Sequence, residues 1–289
     1  MQPQRLSILG VGLLGGSLGL AAKAQLTGCR VVGYAHRAET LRAALDRGAI
    51  DEGYGDVAKA VQGADLVVLC TPVGNLSEIL TAIAPALGDR AIVTDVGSTK
   101  ATVVRSAERE HPRLRFVGSH PMAGSEKRGV QHATADLYKG AVCITTPTEK
   151  TDPTALEQVE AFWRLLGMRI RRLNPEAHDA RICDVSHLPH AVAAAMVTLQ
   201  HEAALDLAGR GFMDATRIAG GDGGLWRDIL QDNRLNLIDS IGRLRATLDE
   251  LQSLLEPDRG EELKAWLDRA AARRRAMQAA RDAATRTET

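Results

Sequence analysis

Short apolar runs alternate with helical patterns through the first half of this 289-residue chain. Six runs rich in β-branched residues, each ending in glycine, proline or a polar turn, are predicted to be strands: RLSILGVG, CRVVGYA, ADLVVLCTP, RAIVTDVG, RFVGSHP and GAVCITTP. Strands that alternate with helices are typical of a parallel sheet. A helix over residues 152–166 and a short strand over residues 168–173 are expected to complete this layer.

Beyond Asn174 and Pro175 the pattern predicts helices alone, and the stretch NLIDSIGRLRATLDELQSLL has one apolar face. The predicted fold class is therefore α/β, with an N-terminal doubly wound Rossmann-type parallel sheet over residues 1–174 and an all-helical C-terminal domain over residues 175–289. The apolar helical face is expected to pack against a second subunit or within a self-contained bundle, and the pattern alone leaves both open.

Composition narrows the class of partner. Thirty-six basic and thirty-six acidic residues leave no formal net charge. The expected ligand is therefore a small molecule, and binding to a nucleic acid or to a membrane surface is not expected. Four cysteines without CxxC spacing, with no HExxH motif and no aspartate-rich loop, predict no metal site. Unclustered cysteines, no basic-then-apolar leader and no apolar run of bilayer length favour a reducing, cytoplasmic setting.

The first strand runs directly into a glycine motif. In SILGVGLLGGSLGL the glycines of GxGxxG are Gly10, Gly12 and Gly15, placed where a strand ends and a helix begins. Gly10 permits the tight turn, Gly12 lets a pyrophosphate approach the backbone, and Gly15 lets the helix pack close to the sheet. The helix N-terminus, with Leu13 and Leu14, then faces the phosphates, which predicts a dinucleotide-binding site.

The end of the second strand bears on the choice of cofactor. An NAD site usually has an acidic residue there to hold the ribose hydroxyls, and this chain has Ala35. The following His36, Arg37 and Thr40 suit a 2′-phosphate, so NADP is favoured over NAD. The alternative is that Arg37 is a solvated or stacking charge and that Glu39 holds the ribose of NAD.

Two more strand ends, CTPV and DVGSTK, reach the same carboxyl edge of the sheet, where doubly wound folds bind ligands. The residues expected near the nicotinamide are Thr71, Pro72, Val73, Asp95, Gly97, Ser98 and Lys100. An alternative for Asp95 and Ser98 is that they cap the helix beginning near Thr99.

Two histidines, His187 and His190, lie three residues apart at the start of the alanine-rich run SHLPHAVAAAMVTL. On a helix they share one face, where they could hold a metal, form a hydrogen-bond network or contact a ligand. From these residues alone a structural role is favoured, with Ser186 as a helix cap and Pro189 in the first turn.

The stretch FVGSHPMAGSEKRGVQHATADLYKG, residues 116–140, resembles the prephenate/arogenate dehydrogenase family, which has an HPxxGxExxG-like loop here. The resemblance extends through DVGSTK, SHLPH and TRIAGGDGGLWRDILQDN in the same order along most of the chain. It implies NAD(P)-dependent oxidative decarboxylation of prephenate or arogenate in tyrosine biosynthesis, by a homodimer assembled through the helical domain.

The resemblance also assigns roles to residues. His120 is expected to take the proton of the substrate hydroxyl, with Ser98 as its neighbour and orienter. On the substrate side it implies that Arg217 clamps a carboxylate and that Trp226 forms a wall of the cleft. It also implies that Glu126 is an acidic residue that closes the site and that His190 and His187 border the cleft. The acidic residue that many relatives carry at the position of Ala35 is absent, which leaves the cofactor open.

Two rival interpretations remain at this stage. One is another two-domain Rossmann enzyme, such as a β-hydroxyacid dehydrogenase or a pyrroline-carboxylate reductase. The β-hydroxyacid enzymes usually rely on a lysine in the helical domain, and no lysine occurs between Pro175 and Arg259. The other rival is a dinucleotide-binding sensor without catalysis, which an assay for reduced cofactor with prephenate or arogenate would distinguish.

Overall fold

The computed structural model of the chain describes residues 2–124 and 127–286. The strands in this part of the chain are β1 (Arg5–Leu9), β2 (Arg30–Tyr34), β3 (Glu52–Tyr54), β4 (Leu66–Leu69), β5 (Ile92–Asp95), β6 (Arg115–Val117), β7 (Ser119–Pro121), β8 (Val142–Thr145) and β9 (Arg169–Arg172). The helices are α1 (Leu13–Gln25), α2 (Ala38–Asp46), α3 (Val57–Val61), α4 (Leu76–Ile83), α5 (Ala101–Glu110), α6 (Pro153–Leu165), α7 (Pro175–Ile182), α8 (Leu188–Thr198), α9 (Glu202–Leu205), α10 (Arg210–Thr216), α11 (Gly223–Asp232), α12 (Arg234–Ser253) and α13 (Gly260–Arg286).

The main sheet is parallel throughout and has the strand order β3-β2-β1-β4-β5-β6. The order reverses at β1, where Leu9 pairs with Tyr34 on one side and with Leu69 on the other. This is the doubly wound arrangement expected from the alternating pattern, and the predicted Rossmann-type fold is confirmed. The three-residue strand β3, EGY, was not predicted because it is too short and too polar to give an apolar run.

The last three strands form a separate sheet, which corrects the prediction of one continuous layer. RFVGSHP is not a single strand, because β6 ends in the main sheet and β7 begins a sheet of order β7-β8-β9. In this sheet β7 runs antiparallel to β8, and β8 runs parallel to β9. The chain changes sheets at Gly118, where a Cβ atom would lie 2.4 Å from Oγ1 of Thr146.

Alternate residues of the main strands pack on opposite faces of the sheet. Ile8 and Val68 belong to a core that includes helices α1 and α6, whereas Leu9 and Val67 belong to a core that includes helices α4 and α5. Burial on both faces explains why these strands read as continuous apolar runs and not as an alternation.

The described residues after β9 contain helices and turns and no strand, as predicted. Residues up to Leu237 form one compact unit, and residues from Ile238 onward form a second. Helix α7 packs on α5, and α11 packs on the turn Val73–Asn75 that follows β4, so the first helices of the C-terminal part belong with the sheet. The domain boundary near Asn174 stays a prediction.

Helix α8 begins at Leu188, after a π-helical turn over Cys183–His187, and Ser186 does not cap it. Pro189 does lie in its first turn. Within the described residues, none of the helices combines the length and the apolar character that crossing a membrane requires.

Candidate active site

The glycine turn after β1 has the geometry that each of its three glycines was expected to provide. Gly10 has a φ of 108°, and a Cβ there would lie 2.8 Å from the carbonyl of Cys70. A Cβ on Gly15 would lie 2.0 Å from the oxygen of Gly10, so α1 packs directly on the turn. Gly12 precedes α1 without any side-chain cap, and no described atom lies within 4 Å of where its Cβ would be. The start of α1 therefore borders open space.

That space is a cavity of about 750 Å³, which we call the dinucleotide crevice. Of the residues predicted for cofactor binding, it is lined by Gly10, Gly12, His36, Arg37, Thr40, Thr71 and Pro72. Gly15 supports the crevice by packing and is not in its lining. Its lining also includes Arg128, Gly129, Val130 and Gln131, which the sequence analysis missed. They follow β7 in a segment that no strand or helix pattern linked to the glycine motif.

A second cavity of about 470 Å³ continues along the same edge of the sheet and shares Gly12 and Thr71 with the crevice. Of the predicted residues, it is also lined by Leu13, Leu14, Pro72, Val73, Gly97 and Ser98. The hydroxyl of Thr71 is buried and has no hydrogen-bond partner among the described residues. An uncapped helix N-terminus, an open glycine and an unpaired hydroxyl along one groove fit a nicotinamide dinucleotide.

Asp95 and Lys100, which were predicted to lie near the nicotinamide, line neither of the two cavities. Both side chains are completely buried and form an ion pair with each other. The Asp95 carboxylate also accepts hydrogen bonds from the backbone N–H groups of Gly97, at 2.8 Å, and Ser119, at 3.0 Å. The pair therefore holds the loop after β5 against β7.

The alternative role for Asp95 and Ser98, capping the next helix, is wrong. Helix α5 begins at Ala101, and its N-terminal N–H groups bind a side chain from elsewhere in the chain. The Asp179 carboxylate accepts from the N–H of Lys100 at 2.8 Å and from the N–H of Ala101 at 2.9 Å. Asp179 in α7 is thus the cap.

His120, on β7, is 8% exposed and begins a chain of hydrogen bonds. Its Nδ1 lies 2.9 Å from Nε2 of His178, and Nδ1 of His178 lies 2.7 Å from the Asp179 carboxylate. Ser98 was the predicted orienter, but no hydrogen bond among the described residues joins it to His120. We name the chain His120–His178–Asp179 the histidine relay.

His178 was not among the predicted site residues. A signal was present, since Pro175, His178, Asp179 and Ile182 are spaced i, i+3, i+4 and i+7 and all four are buried. Two polar residues on the apolar stripe of a helix require partners.

Burial sets the charge states of the relay. Burial, the neighbouring His178 and Lys100 lower the pKa of His120 well below its ordinary value of 6.5. Burial also lowers the pKa of His178, although its hydrogen bond to Asp179 acts in the opposite direction. Burial alone would raise the pKa of Asp179, but hydrogen bonds from His178 and from the N–H groups of Ala101 and Lys100 hold that pKa below its ordinary value. At neutral pH both rings are neutral and Asp179 is a carboxylate.

His187, His190 and Trp226 lie together next to the relay. The rings of His190 and Trp226 stack with centroids 3.5 Å apart, and the rings of His187 and Trp226 form a T-shaped pair with centroids 6.3 Å apart. Asn233 donates to Nδ1 of His187 at 3.0 Å and to the carbonyl of Asp179 at 2.8 Å. Burial lowers the pKa of His187 to about 4, so this ring is neutral and carries its proton on Nε2.

Two ring nitrogens in this group are buried without a hydrogen-bond partner among the described residues, Nε2 of His187 and Nδ1 of His190. Such atoms are rare in folded proteins unless a ligand or water satisfies them. Each of the two histidines therefore has a buried ring nitrogen whose hydrogen-bonding capacity is unused. A purely structural role, in which both are fully hydrogen-bonded core residues, does not explain this.

Arg217 is exposed and lies outside the lining of both cavities as the described residues form them. It begins the short helical turn Arg217–Gly220, which packs on α8, the helix that carries His190. Glu126 lies outside the described residues. Within residues 2–124 and 127–286, no cluster of three histidine, cysteine or carboxylate side chains is arranged to hold a metal ion.

Several known proteins are similar to this chain. The family model described as "Prephenate dehydrogenase, nucleotide-binding domain" matches residues 18–172, and the one described as "Prephenate dehydrogenase, dimerization domain" matches residues 174–269. The prephenate dehydrogenase of Bacillus subtilis (strain 168) is 36% identical over 264 residues, which are 89% of this chain and 71% of that protein.

Two solved structures extend the comparison. A prephenate dehydrogenase from A. aeolicus, in complex with hydroxyphenyl propionate and NAD+, is 35% identical, with a TM-score of 0.89 and coverage of 96% of this chain and 98% of that chain. The arogenate dehydrogenase of Synechocystis is 30% identical, with a TM-score of 0.81 and coverage of 94% and 99%.

Proposed function

The chain belongs to the prephenate dehydrogenase family, and we propose that it oxidatively decarboxylates prephenate, arogenate or both in tyrosine biosynthesis, with a nicotinamide dinucleotide as oxidant. The observation that carries the proposal is His120, a buried and neutral histidine on β7, in the compact unit that also holds the dinucleotide crevice.

The reaction needs an acceptor for two electrons and a group that handles one proton. The bound nicotinamide supplies the first, because it accepts the hydride from the ring carbon that bears the hydroxyl. His120 supplies the second: its Nε2 takes the hydroxyl proton as that C–O bond becomes C=O. The leaving carbon dioxide gives its C–C bond electrons to the ring, which becomes aromatic, and the phenolate oxygen takes the proton back from His120.

A neutral base suits this task. A histidine acts as a base only when it is unprotonated, and the lowered pKa of His120 keeps it so at and below neutral pH. Burial has a second effect, since it limits the access of water to a ring nitrogen that must receive its proton from the substrate.

We assign the substrate side to the histidine and tryptophan group. The unpaired Nε2 of His187 carries a hydrogen and can donate to a substrate oxygen, and His190 with Trp226 provides a flat stacked surface. Arg217 is proposed as the carboxylate clamp, because its turn packs on the helix that holds His190. A guanidinium gives a carboxylate two parallel hydrogen bonds. The closing role proposed for Glu126 rests on the family resemblance alone.

We propose NADP as the preferred cofactor. Arg37, His36 and Thr40 line the crevice at the end of β2, where Ala35 provides no carboxylate for ribose hydroxyls. Glu39 lines the same crevice and is the residue through which NAD could be held instead. The A. aeolicus relative was solved with NAD+, so the choice must be measured on this chain.

We propose a homodimer formed through the helical C-terminal part. The family model that matches this part is described as a dimerization domain. In the unit that starts at Ile238, large apolar side chains are exposed at Ile238, Ile241, Leu248, Leu255 and Leu267. Sedimentation equilibrium measures the mass, and a single species at the chain mass of 31.0 kDa would contradict the dimer.

The proposed reaction is tested by steady-state kinetics with four combinations, prephenate or arogenate with NAD or NADP. We expect reduced cofactor to form with at least one substrate, and NADP to give the higher kcat/KM. No turnover in any combination, with cofactor binding intact, would leave a dinucleotide-binding sensor as the better explanation.

A further inference from the structure

We infer that His178 and Asp179 are positioning residues for His120: they fix its ring orientation and its tautomer, so that Nε2 presents a lone pair to the substrate. The inference rests on the proposed role of His120 as the base. The relatives in the comparison support the reaction, whereas this assignment comes from the hydrogen bonds of the histidine relay.

Asp179 is anchored at the start of α5. Its two carboxylate oxygens accept from the N–H groups of Lys100 and Ala101, at 2.8 and 2.9 Å, at the start of α5. A carboxylate has no hydrogen to donate. The 2.7 Å contact with His178 must therefore use an N–H on Nδ1 of His178 as the donor.

The tautomer of His178 follows from its neutral charge. A neutral imidazole has one N–H, and here that group is on Nδ1, so Nε2 of His178 is an acceptor. The 2.9 Å contact between the rings then requires an N–H on Nδ1 of His120. Neutral His120 in turn keeps its lone pair on Nε2, which is the state a base needs. The opposite tautomer would put a hydrogen on Nε2 and disable it.

The relay also fixes the plane of the His120 ring. The rings of His120 and His178 meet edge to face at 5.1 Å, and both are at least nine-tenths buried. His178 cannot turn freely, because Asp179, its neighbour in α7, is held by the N-terminus of α5 and by the side chain of Asn233 through the Asp179 carbonyl. The contact of α7 with α5 thus helps to fix the orientation of the His120 ring on β7.

The carboxylate has a further effect during the reaction. When Nε2 of His120 receives the hydroxyl proton, the ring becomes an imidazolium, and the negative charge of Asp179 lies one ring away. That charge offsets part of the cost of forming a buried cation. Lys100, whose charge opposes protonation of His120, is itself paired with Asp95.

The test compares two replacements of His178, Leu and Gln, of which only Gln can accept a hydrogen bond. His178→Leu removes the acceptor, and we expect kcat to fall about 100-fold with KM within about threefold of the parent. His178→Gln retains an acceptor oxygen near the position of Nε2, and we expect it to recover at least tenfold of the lost kcat. A role in packing alone would favour Leu, the more apolar replacement, or leave the two equal.

Asp179→Asn provides the second arm. Its amide has one acceptor oxygen in place of two, so it cannot serve His178, Lys100 and Ala101 together, and we expect kcat to fall at least tenfold, as when a catalytic histidine is left in the wrong tautomer. Because Asp179 also caps α5, the variant is compared at temperatures well below its measured Tm. Nitrogen-15 NMR of histidine-labelled protein reads the tautomers directly, and we expect Nδ1 of His120 to be protonated in the parent and in His178→Gln.

Matched controls are His201→Gln and Asp206→Asn, both exposed positions outside the relay, which we expect to leave kcat unchanged. Equal kcat for His178→Leu and the parent, or a proton on Nε2 of His120 in the parent spectrum, would overturn the inference. Its failure is distinguishable from that of the proposed function, since the latter fails only if the parent enzyme is inactive or if replacing His120 has no effect on turnover.

Discussion

The dinucleotide crevice and the histidine relay differ in their exposure and in the groups that form them. The crevice is an open groove along one sheet edge, formed by the glycine turn, a helix N-terminus and the side chains that follow β2. The relay is buried and formed by side chains from β7 and α7, 58 residues apart. Backbone groups suit a cofactor that is bound by its phosphates, whereas a proton transfer needs side chains whose protonation is defined. Changes in the crevice should alter affinity, and changes in the relay should alter turnover.

The largest effect that would test this contrast is at His120. We expect His120→Asn to lower kcat by about 100-fold or more, because the amide cannot act as a base at neutral pH. The dissociation constant of the oxidised cofactor, measured by fluorescence titration, should stay within about twofold of the parent value, since His120 is not in the crevice lining. Turnover within a few-fold of the parent would refute the assignment of the base.

The next effect concerns Arg217, which the structure places on the turn beside α8. We expect Arg217→Ala to raise KM for the cyclohexadienyl substrate at least tenfold, or about 1.4 kcal/mol, through loss of a charge-assisted pair of hydrogen bonds. The cofactor dissociation constant should not change. Steady-state kinetics and separate cofactor titration measure the two quantities.

Arg217→Lys sharpens the result, because it restores the charge without the planar two-point geometry and should recover only part of the loss. Equal weakening of substrate and cofactor binding in Arg217→Ala would indicate a disturbed helical part and not a missing clamp. A rise in KM of less than about threefold would identify Arg217 as a surface charge, as its exposure alone suggests.

Alanine substitutions in the glycine turn, each of which adds one methyl group, can distinguish a glycine needed for packing from one needed for cofactor binding. In Gly15→Ala the new Cβ would lie 2.0 Å from the oxygen of Gly10, so we expect unfolding free energy to fall by about 1–3 kcal/mol and cofactor affinity to fall as well. In Gly12→Ala no described atom lies within 4 Å of the new Cβ. That variant should keep its Tm and lose cofactor affinity alone, because the methyl occupies space needed by the pyrophosphate.

Gly88→Ala is the matched control, since no described atom lies within 4 Å of its Cβ and it lines neither cavity. Thermal unfolding and cofactor titration of the three variants complete the comparison. If Gly12→Ala bound the cofactor as tightly as the parent, the phosphates would not lie at the start of α1.

The crevice could be predicted from sequence and the pairing of His120 with His178 could not, for a physical reason. The glycine motif, the strand before it and the helix after it are adjacent in the chain, so local pattern suffices. The partner of His120 is fixed by how α7 packs on α5, which is a long-range contact. The family resemblance implied Ser98 as the orienter, whereas Nδ1 of His120 contacts His178 of α7, a helix that begins after β9.

Errors in the strand prediction have similar causes. The pattern of RFVGSHP is continuous, and nothing local indicates that Gly118 carries the chain from the parallel sheet into a second sheet. The close approach of Gly118 to Thr146 is visible only in three dimensions. Asp95 and Lys100 were predicted to lie near the nicotinamide from their positions at and after the end of β5, and their mutual ion pair is likewise a tertiary contact.

The smallest expected effect is a change in cofactor preference, which concerns the rim of the crevice. Ala35→Asp combined with Arg37→Ala should shift the ratio of kcat/KM for NADP over NAD toward NAD by at least about tenfold, or 1.4 kcal/mol. Asp at position 35 would repel a 2′-phosphate and accept hydrogen bonds from ribose hydroxyls, and loss of Arg37 removes a cation that lines the crevice there. Because neither residue belongs to the histidine relay, kcat with saturating NAD should stay within about threefold of the parent. The single variant Glu39→Gln tests the alternative: if the parent prefers NAD and this variant loses that preference, Glu39 holds the ribose and the role given to Arg37 is wrong.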